Sequence, residues 1–539
     1  GTLLQRVMAG RPDQPRPGRD RDAIVHWQSP GGLSTCGIAY DSILSSDDLQ
    51  DRRRNDYGHE CDLALTDYSL AAKPGVDYTM DQIAAVVPSL MHGQPHWQAA
   101  RMVANAGWRG LDKLRADNRA AWTELWKGRP VFAGAAERWQ EISDSCFFYT
   151  HSTIHSSSLT GIAPFGLADR NYKGHVFWDY ESFMLPAVAL TAPDAARASM
   201  EYRGRCREMA AHNARMHGYR GLQFPWQSGN YGEEVTNYYT SAREFHINPA
   251  VAVAVGQYLH ATDDRLFMRE TGWPILKGVA EWITSFVTKT DRGYETLHLA
   301  SPNETYHDVN NDVQMHFFCK AALREAIWCA AELGEPAPAL WQAIAENLFM
   351  PIDPDEGTLV QFENFPLKTD SRASVGPMWG LFPLGVSCGE KTDRATQEFF
   401  HKTMSSYYGM PMSSSYCAVW AAMMGDRDEA LRALEAGIAD RVIDPFMQIV
   451  EASPKLSSQP WLTNVTDFVT GQGGFLTAAL LGFGGLQLGP GAPASWCVRP
   501  PALPAGWEAL EVERIWARGE PLRLIARAGE TNAKLEPVR

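Results

Sequence analysis

From about residue 111 to about residue 486, the apolar residues of this 539-residue chain recur at helical spacing, one candidate helix after another. Leu323, Ile327, Ala330 and Leu333 form one such stripe, and Gly334 follows where a helix C-cap would sit. Residues 195–209 carry another apolar face, with Pro193 near the first turn, where its missing N–H costs nothing. The same spacing predicts helices at 122–126, 250–259, 273–286, 340–348, 396–407 and 429–439. Many helices in succession, with long loops between them, predict a mainly α fold built as an α/α barrel or toroid. Periodicity alone does not separate a barrel from an α-solenoid, but no repeat of fixed period supports the solenoid.

The two ends of the chain read differently. Short runs at 23–27, 61–67 and 83–87, punctuated by Pro, Gly and Asp, predict strands and loops. Residues 10–22, rich in Arg, Asp and Pro, predict an exposed loop. After residue 486 the pattern returns to short β-like runs such as 522–528. The expected organisation is therefore a β-rich region at 1–105, a helical domain at 106–486 and a small β region at 487–539.

Composition excludes some functions. A formal net charge of −14, with 52–54 the only basic run, argues against a nucleic-acid groove, which needs concentrated Lys and Arg. The longest apolar stretches, such as 475–483, are too short and Gly-rich to span a bilayer. Nine scattered Cys with no CxxC pair fit reduced thiols and favour a cytoplasmic setting, although a processed front end leaves export open. No metal or cofactor motif emerges. His151 and His155 have an i,i+4 spacing but lack a third ligand or an HExxH frame, and read as ordinary polar or sugar-facing histidines.

Four loops crowd Trp, Gly, Asn and carboxylates between helices: 174–181, 223–234, 300–311, and 450–474. Such loops suit sugars, whose apolar faces rest on aromatic rings while amides and carboxylates bind the hydroxyls. These segments resemble those of glycoside hydrolase family 65, a family of α-glucoside hydrolases and phosphorylases. Phe177-Trp-Asp-Tyr-Glu181 resembles its F-W-D-x-E, and Gly218-Tyr-Arg-Gly221 with Phe224-Pro-Trp226 resembles its G-Y-x-G and F-P-W-E-S segments. Ser301-Pro-Asn-Glu304 with Tyr306-His307 and Asn310-Asn311 resembles its general-acid loop. The run Thr470-Gly-Gln-Gly-Gly-Phe-Leu476 is most similar to the family's protein-glucosylgalactosylhydroxylysine glucosidase branch. The resemblance covers about 96–488. It implies an (α/α)6 barrel, with a partial β-sandwich before it and a small β region after it.

Glycoside hydrolysis needs two carboxyl groups on opposite faces of the scissile bond. The resemblance makes Glu304 the general acid, which requires a raised pKa; the competing reading is a loop Glu paired with a nearby cation. It makes Glu451 the base that activates water, against the alternative of a solvated loop carboxylate. Phosphorylases of the family carry a Gly-Ile-His-like segment there and a His-x-Ser-Ser motif for phosphate. This chain has Met412-Ser-Ser-Ser415 without the His, which favours hydrolysis. Asp179 is expected to hold donor-sugar hydroxyls beside Trp178, or to cap the next helix, or both. Trp226 and Tyr306 are further expected sugar contacts. Lys368 stands where the family has a Lys-Gln pair, here Lys368-Thr369. Gln227 replaces the family's Glu and leaves specificity open, since an amide donates hydrogen bonds that a carboxylate does not.

Two patterns resolve to plainer readings. Gly471-Gln-Gly-Gly474 lacks dinucleotide-fingerprint spacing and is expected to let a loop approach the barrel mouth and start a helix. Ser413–Ser415 has no Ser-His-Asp setting. The expected activity is inverting hydrolysis of an α-glucosidic bond of a disaccharide or glucosylated glycan, with a small carbohydrate as substrate and no cofactor, nucleic acid or membrane partner. A phosphorylase of the same fold and a degenerate sugar-binding protein stand as alternatives. Only about the second half of the family's leading β-sandwich is recognisable, so a companion N-terminal fragment or a homo-oligomer stays open.

Overall fold

The structure is a computed structural model that describes residues 2–7, 22–29, 32, 34–55, 65–168, 172–236, 241–367, 375–408, 410–452 and 467–538. The expected loop at 10–21, the expected strand start at 61–64, and Lys368 lie outside the described residues. Asp22, the last residue of that expected exposed loop, is instead buried, and its carboxylate accepts the Ser42 N–H at 2.9 Å.

Two compact units divide the chain between Glu124 and Leu125. In the first, β1 (Thr2–Val7), β2 (Ala23–Gln28) and β3 (Thr35–Leu44) form an antiparallel sheet completed by a later strand. The hairpin β4 (Leu49–Asn55) and β5 (Leu65–Leu70) stands apart and reaches β3 through Tyr68, whose hydroxyl donates to the Ser42 carbonyl at 2.6 Å. The closing strand is β6 (Met80–Pro88), paired with β3.

Helix begins sixteen residues before the expected onset at residue 111, with α1 (Pro95–Arg109). No side chain caps its start; Pro95 supplies the first-turn φ instead, a signal weaker than a Ser or Asp cap. Ala99 and Val103, one turn apart, pack on Ile24, Ala39 and Val87 of the sheet. The approach is so close that a Cβ on Gly37 would lie 2.1 Å from the His96 nitrogen. α2 (Leu111–Leu125) follows.

The second unit is helical. It opens with β7 (Val131–Ala133) and α3 (Glu137–Ser152), then α4 (Leu185–Thr191), α5 (Pro193–Arg205) and α6 (Arg207–Met216). Next come α7 (Ile247–Thr262), the single turn α8 (Arg265–Phe267) and α9 (Trp273–Phe286). The hairpin β8 (Thr288–Thr290) and β9 (Gly293–Glu295) leads to α10 (Val313–Leu333) and α11 (Ala339–Asn347). α12 (Glu390–Thr403), α13 (Pro411–Met423) and α14 (Arg427–Gly437) are followed by the small pair β10 (Val442–Ile443) and β11 (Gln448–Ile449), and then α15 (Val469–Thr477). Among these, α4, α7, α13 and α15 and most of α10 are buried nearly all round, whereas α6, α9, α12 and α14 keep one polar face. The buried helices touch one after another: α10 meets α7, α7 meets α4, α4 meets α15, and α15 meets α13. The architecture is mainly α, an (α/α)6 barrel with β structure before and after it in the chain.

Gly334 does sit at the end of α10 in the left-handed conformation, φ 68°. The last strands, β12 (Ala509–Ala517), β13 (Glu520–Arg527) and β14 (Lys534–Pro537), join β7 in one antiparallel sheet. No helix among the described residues is long and apolar enough to cross a membrane.

Candidate active site

The first aromatic loop runs straight into a wide π turn, Tyr180–Met184. Pro186 follows; in a regular helix it would clash with the carbonyl four residues back and give it no N–H. That carbonyl belongs to Ser182, and it accepts the Tyr416 hydroxyl of α13 at 2.7 Å instead. The turn thus sets Trp178 and Asp179 at the head of a buried inner helix. Two residues on, Glu181 and Arg203 form a fully buried ion pair at 2.6 Å. Asp179, also buried, has no cation partner among the described residues. It also does not cap the turn; its Oδ2 accepts the Thr470 hydroxyl of α15 at 2.7 Å. Burial pushes its pKa up to about 7, against the Thr470 hydrogen bond and with the charges of Glu304 and Glu181 adding to the rise.

The influence of Glu304 on Asp179 brings the third loop to the first. Glu304 stands at the tip of a tight loop closed by the Leu299–Val309 bridge and by the Ser301 N–H to Tyr306 carbonyl bond, 2.8 Å. Its backbone is left-handed, φ 59°, a conformation that costs a non-Gly residue energy and recurs at functional sites. Its carboxylate has no ion pair or hydrogen bond among the described residues, so the cation-paired reading is not met. Water can reach it, yet protein encloses it closely enough that desolvation alone raises its pKa.

The loop is braced from behind. The Ser301 hydroxyl and the Gln361 amide donate to Asp312 at 2.7 and 2.8 Å, and Asp312 caps α10 through the Met315 N–H. Asn311 donates to Glu295 at 2.8 Å and to Glu363 at 2.9 Å, and Arg292 pairs with both carboxylates. Burial disfavours ionised Glu295, but hydrogen bonds from Thr290, Arg292 and Asn311 outweigh it and hold the pKa at about 2. Tyr306 packs its ring on Phe362 and Phe365.

The second loop is stitched to the first by reciprocal Val176–Ser228 backbone bonds of 3.0 and 2.9 Å. Trp226 meets Phe177 edge to face at 4.7 Å, and Gln227 Nε2 lies 2.7 Å from His175 Nδ1. Glu234 accepts the Trp226 N–H, so this acid folds the loop. Trp178 sits in an aromatic nest of Phe183, His246, Phe318 and Trp379.

Glu451 follows directly on β11, whose Ile449 pairs with Val442. The Val450 N–H donates to the Arg441 carbonyl at 3.1 Å. One Glu451 carboxylate oxygen is buried. Gly471–Gly474, expected to let a loop approach and start a helix, lie in the first turns of α15, where a Cβ on Gly473 would lie 2.6 Å from Met184 Cγ. Close packing, not chain flexibility, explains the glycines there.

The expected polar histidines are framework or surface. His151 is buried against Phe147, with Nε2 3.1 Å from the Thr191 hydroxyl, and His155 is exposed. Among the described residues, no three His, Cys, Asp or Glu side chains are grouped to hold a metal ion. Sequence reasoning missed His246, 1% exposed, with neither ring nitrogen paired among the described residues. Burial pushes its pKa down to about 3, so the ring beside Trp178 is neutral. It also missed Asp467, an acid set in the apolar run before α15, which was the one available signal.

Residues 145–374 match the glycosyl hydrolase family 65 central catalytic domain. The chain is 27% identical to a kojibiose hydrolase of Flavobacterium johnsoniae, over 85% of this chain and 66% of that one. It is 29% identical to the protein-glucosylgalactosylhydroxylysine glucosidase of Danio rerio, over 82% of this chain and 67% of that one. The chain thus spans about two thirds of the length of these curated relatives. A solved human-microbiome protein, provisionally named a kojibiose phosphorylase, shares the fold with a TM-score of 0.65 and 15% identity, covering 95% of this chain and 73% of that one.

Proposed function

The chain carries the central catalytic domain of glycosyl hydrolase family 65, and on that premise we propose that it hydrolyses an α-glucosidic bond with inversion at the anomeric carbon. Glu304 in its carboxylic acid form gives its proton to the departing glycosidic oxygen. Glu451 in its carboxylate form takes a proton from water, whose oxygen bonds to C1 from the opposite face as the C1–O bond breaks. Glu304 ends ionised and Glu451 protonated, and exchange with solvent resets both. Asp179 and Trp178 hold the donor glucose, with Trp226, Gln227, Tyr306 and Lys368 as further sugar contacts.

The observation that carries this reading is the setting of Glu304: a carboxyl on a strained loop tip, with no ion pair or hydrogen bond among the described residues, whose pKa desolvation raises and whose charge in turn raises that of Asp179. A general acid has to hold its proton until the leaving oxygen takes it, and a raised pKa works in that direction. The relatives' names make kojibiose and glucosylated galactosylhydroxylysine the first substrates to try. Phosphorolysis is disfavoured because position 412, where the phosphorylases' phosphate motif carries His, is Met in this chain.

The test is proton NMR of the first-formed sugar from kojibiose, with and without inorganic phosphate. β-Glucose, formed at the same rate in both, is expected. Initial α-glucose would rule out inversion, and phosphate-dependent release of a glucose 1-phosphate would make the protein a phosphorylase.

A further inference from the structure

We propose that Asp467 and Gln472 are positioning residues for Glu451, forming a carboxylate–amide brace that fixes the strand end carrying the base. This rests on the base role given to Glu451 above.

Ile449, two residues before Glu451, is fully buried and gripped on both edges. On one side it pairs with Val442. On the other, its N–H donates to Asp467 Oδ1 at 3.1 Å and its carbonyl accepts the Phe468 N–H at 2.7 Å. The same Asp467 oxygen accepts the Gln472 amide at 2.6 Å, which ties the strand end to the first turns of α15. Thr470, on that same stretch of α15, holds Asp179. A short piece of one helix therefore fixes both the donor-sugar carboxylate and the backbone that aims the base. α15 is also seated closely on the π turn, where a Cβ on Gly473 would lie 2.6 Å from Met184 Cγ.

The arrangement argues for bracing over direct chemistry. Asp467 is 4% exposed and Gln472 fully buried, and Asp467 spends Oδ1 on two protein donors. Its Oδ2 has no hydrogen-bond partner among the described residues, so the brace uses one oxygen only. An asparagine carbonyl can accept the same two donors, and burial pushes the Asp467 pKa up to about 7, so the uncharged side chain is a fair substitute near neutrality. The amide should keep the brace and alanine should lose it.

The experiment compares Asp467→Asn, Asp467→Ala, Gln472→Leu and Glu451→Gln in the full chain, with kojibiose as substrate and melting curves as a fold check. Asp467→Ala should lower kcat about 10²-fold and leave KM within about threefold, since a misplaced base weakens the chemical step more than sugar binding. Gln472→Leu should lower kcat about tenfold. Asp467→Asn should retain at least half of wild-type kcat.

Wild-type kcat in both Asp467→Ala and Gln472→Leu would overturn the proposal. So would an Asp467→Asn enzyme as inactive as Glu451→Gln, which would make Asp467 a group that ionises during the reaction. Should Asp467→Ala fail to fold, Gln472→Leu and Asp467→Asn decide. If Glu451→Gln keeps full hydrolysis, the base assignment itself falls and the brace with it; an inactive Glu451→Gln beside normal brace variants removes the brace alone.

Discussion

The loop that carries Glu304 is held from within its own stretch of chain, whereas the loop that carries Glu451 is held from outside. Arg292, Glu295, Ser301, Asn311, Asp312, Gln361 and Glu363 brace the first, and all fall within about seventy residues of one another. The stem of the second takes a hydroxyl bond from Ser145 to the Met447 carbonyl at 2.7 Å and another from Tyr149 to the Phe446 carbonyl at 3.0 Å, from about three hundred residues away on α3. Its other support, Asp467, sits on the far side of the loop beside α15. A locally braced loop can take its shape as soon as α10 forms. The remotely braced loop gains its shape only when the helical ring closes, so the geometry of the proposed base reports on the whole barrel. The proposed proton donor is thus a property of a segment, and its counterpart is a property of the fold.

The largest effect that tests this contrast is chemical. Glu304→Gln should lower kcat on kojibiose by about 10³-fold, roughly 4 kcal/mol of barrier. It should lose far less on 4-nitrophenyl α-glucoside, whose leaving group needs little protonation. Glu451→Gln should lose both substrates equally, because water activation is common to them. Steady-state kinetics on the two substrates decide; equal losses for Glu304→Gln would remove its role as proton donor. The basic limb of the kcat profile should also end above the ordinary carboxylate range, because desolvation raises the Glu304 pKa and the acid form is the active one.

The same contrast explains what could be read from the sequence. The helix at Trp273–Phe286 and the cap at Gly334 were legible because their signals are local: apolar spacing and a left-handed glycine. The Glu304 loop was singled out through its resemblance to the family's general-acid loop, and the residues that carry the resemblance, Ser301, Tyr306 and Asn311, lie close to it in the chain. The onset of helix at Pro95 was hidden by the lack of a capping side chain. Glycines at 471, 473 and 474 were expected at a helix start, which they occupy, but the reason for a glycine at 473 is the contact with Met184, which leaves no space for a Cβ and which no local signal shows. The pairing of Asp179 with Thr470 joins residues 291 positions apart. No spacing rule reaches that far, which is why capping stayed open for Asp179 beside the favoured reading of sugar binding.

A smaller effect should appear in stability against pH. Asp467 has a folded pKa of about 7, mainly through burial, and Asp312 one of about 6 for the same reason. Both exceed the ordinary Asp value, so the folded chain keeps protons that the unfolded chain releases. The contribution of these two groups to stability therefore falls as pH rises from about 4 to about 7, and Asp179, raised to about 7, adds to the fall. Asp467→Asn removes one of these groups. Relative to wild type it should gain on the order of 3 kcal/mol between pH 4.5 and pH 8, read from urea melts at the two values. An unchanged difference would mean that Asp467 titrates normally and is open to water.

The smallest expected effect is the most direct test of whether the two loops are built separately. Asn311→Ala removes hydrogen bonds to two carboxylates and should cost about 2 kcal/mol. Gln472→Leu removes the amide from the other brace and should cost about 1 kcal/mol. The two residues share no hydrogen-bond partner among the described residues. In a double-mutant cycle the losses should add to within about 0.5 kcal/mol. A coupling above about 1 kcal/mol would mean that the acid and base loops lean on a common support, most directly through Asp179, which answers to Glu304 on one side and to Thr470 on the other. The segment-versus-fold distinction would then give way to a single cooperative site, in which moving either carboxyl group moves its partner.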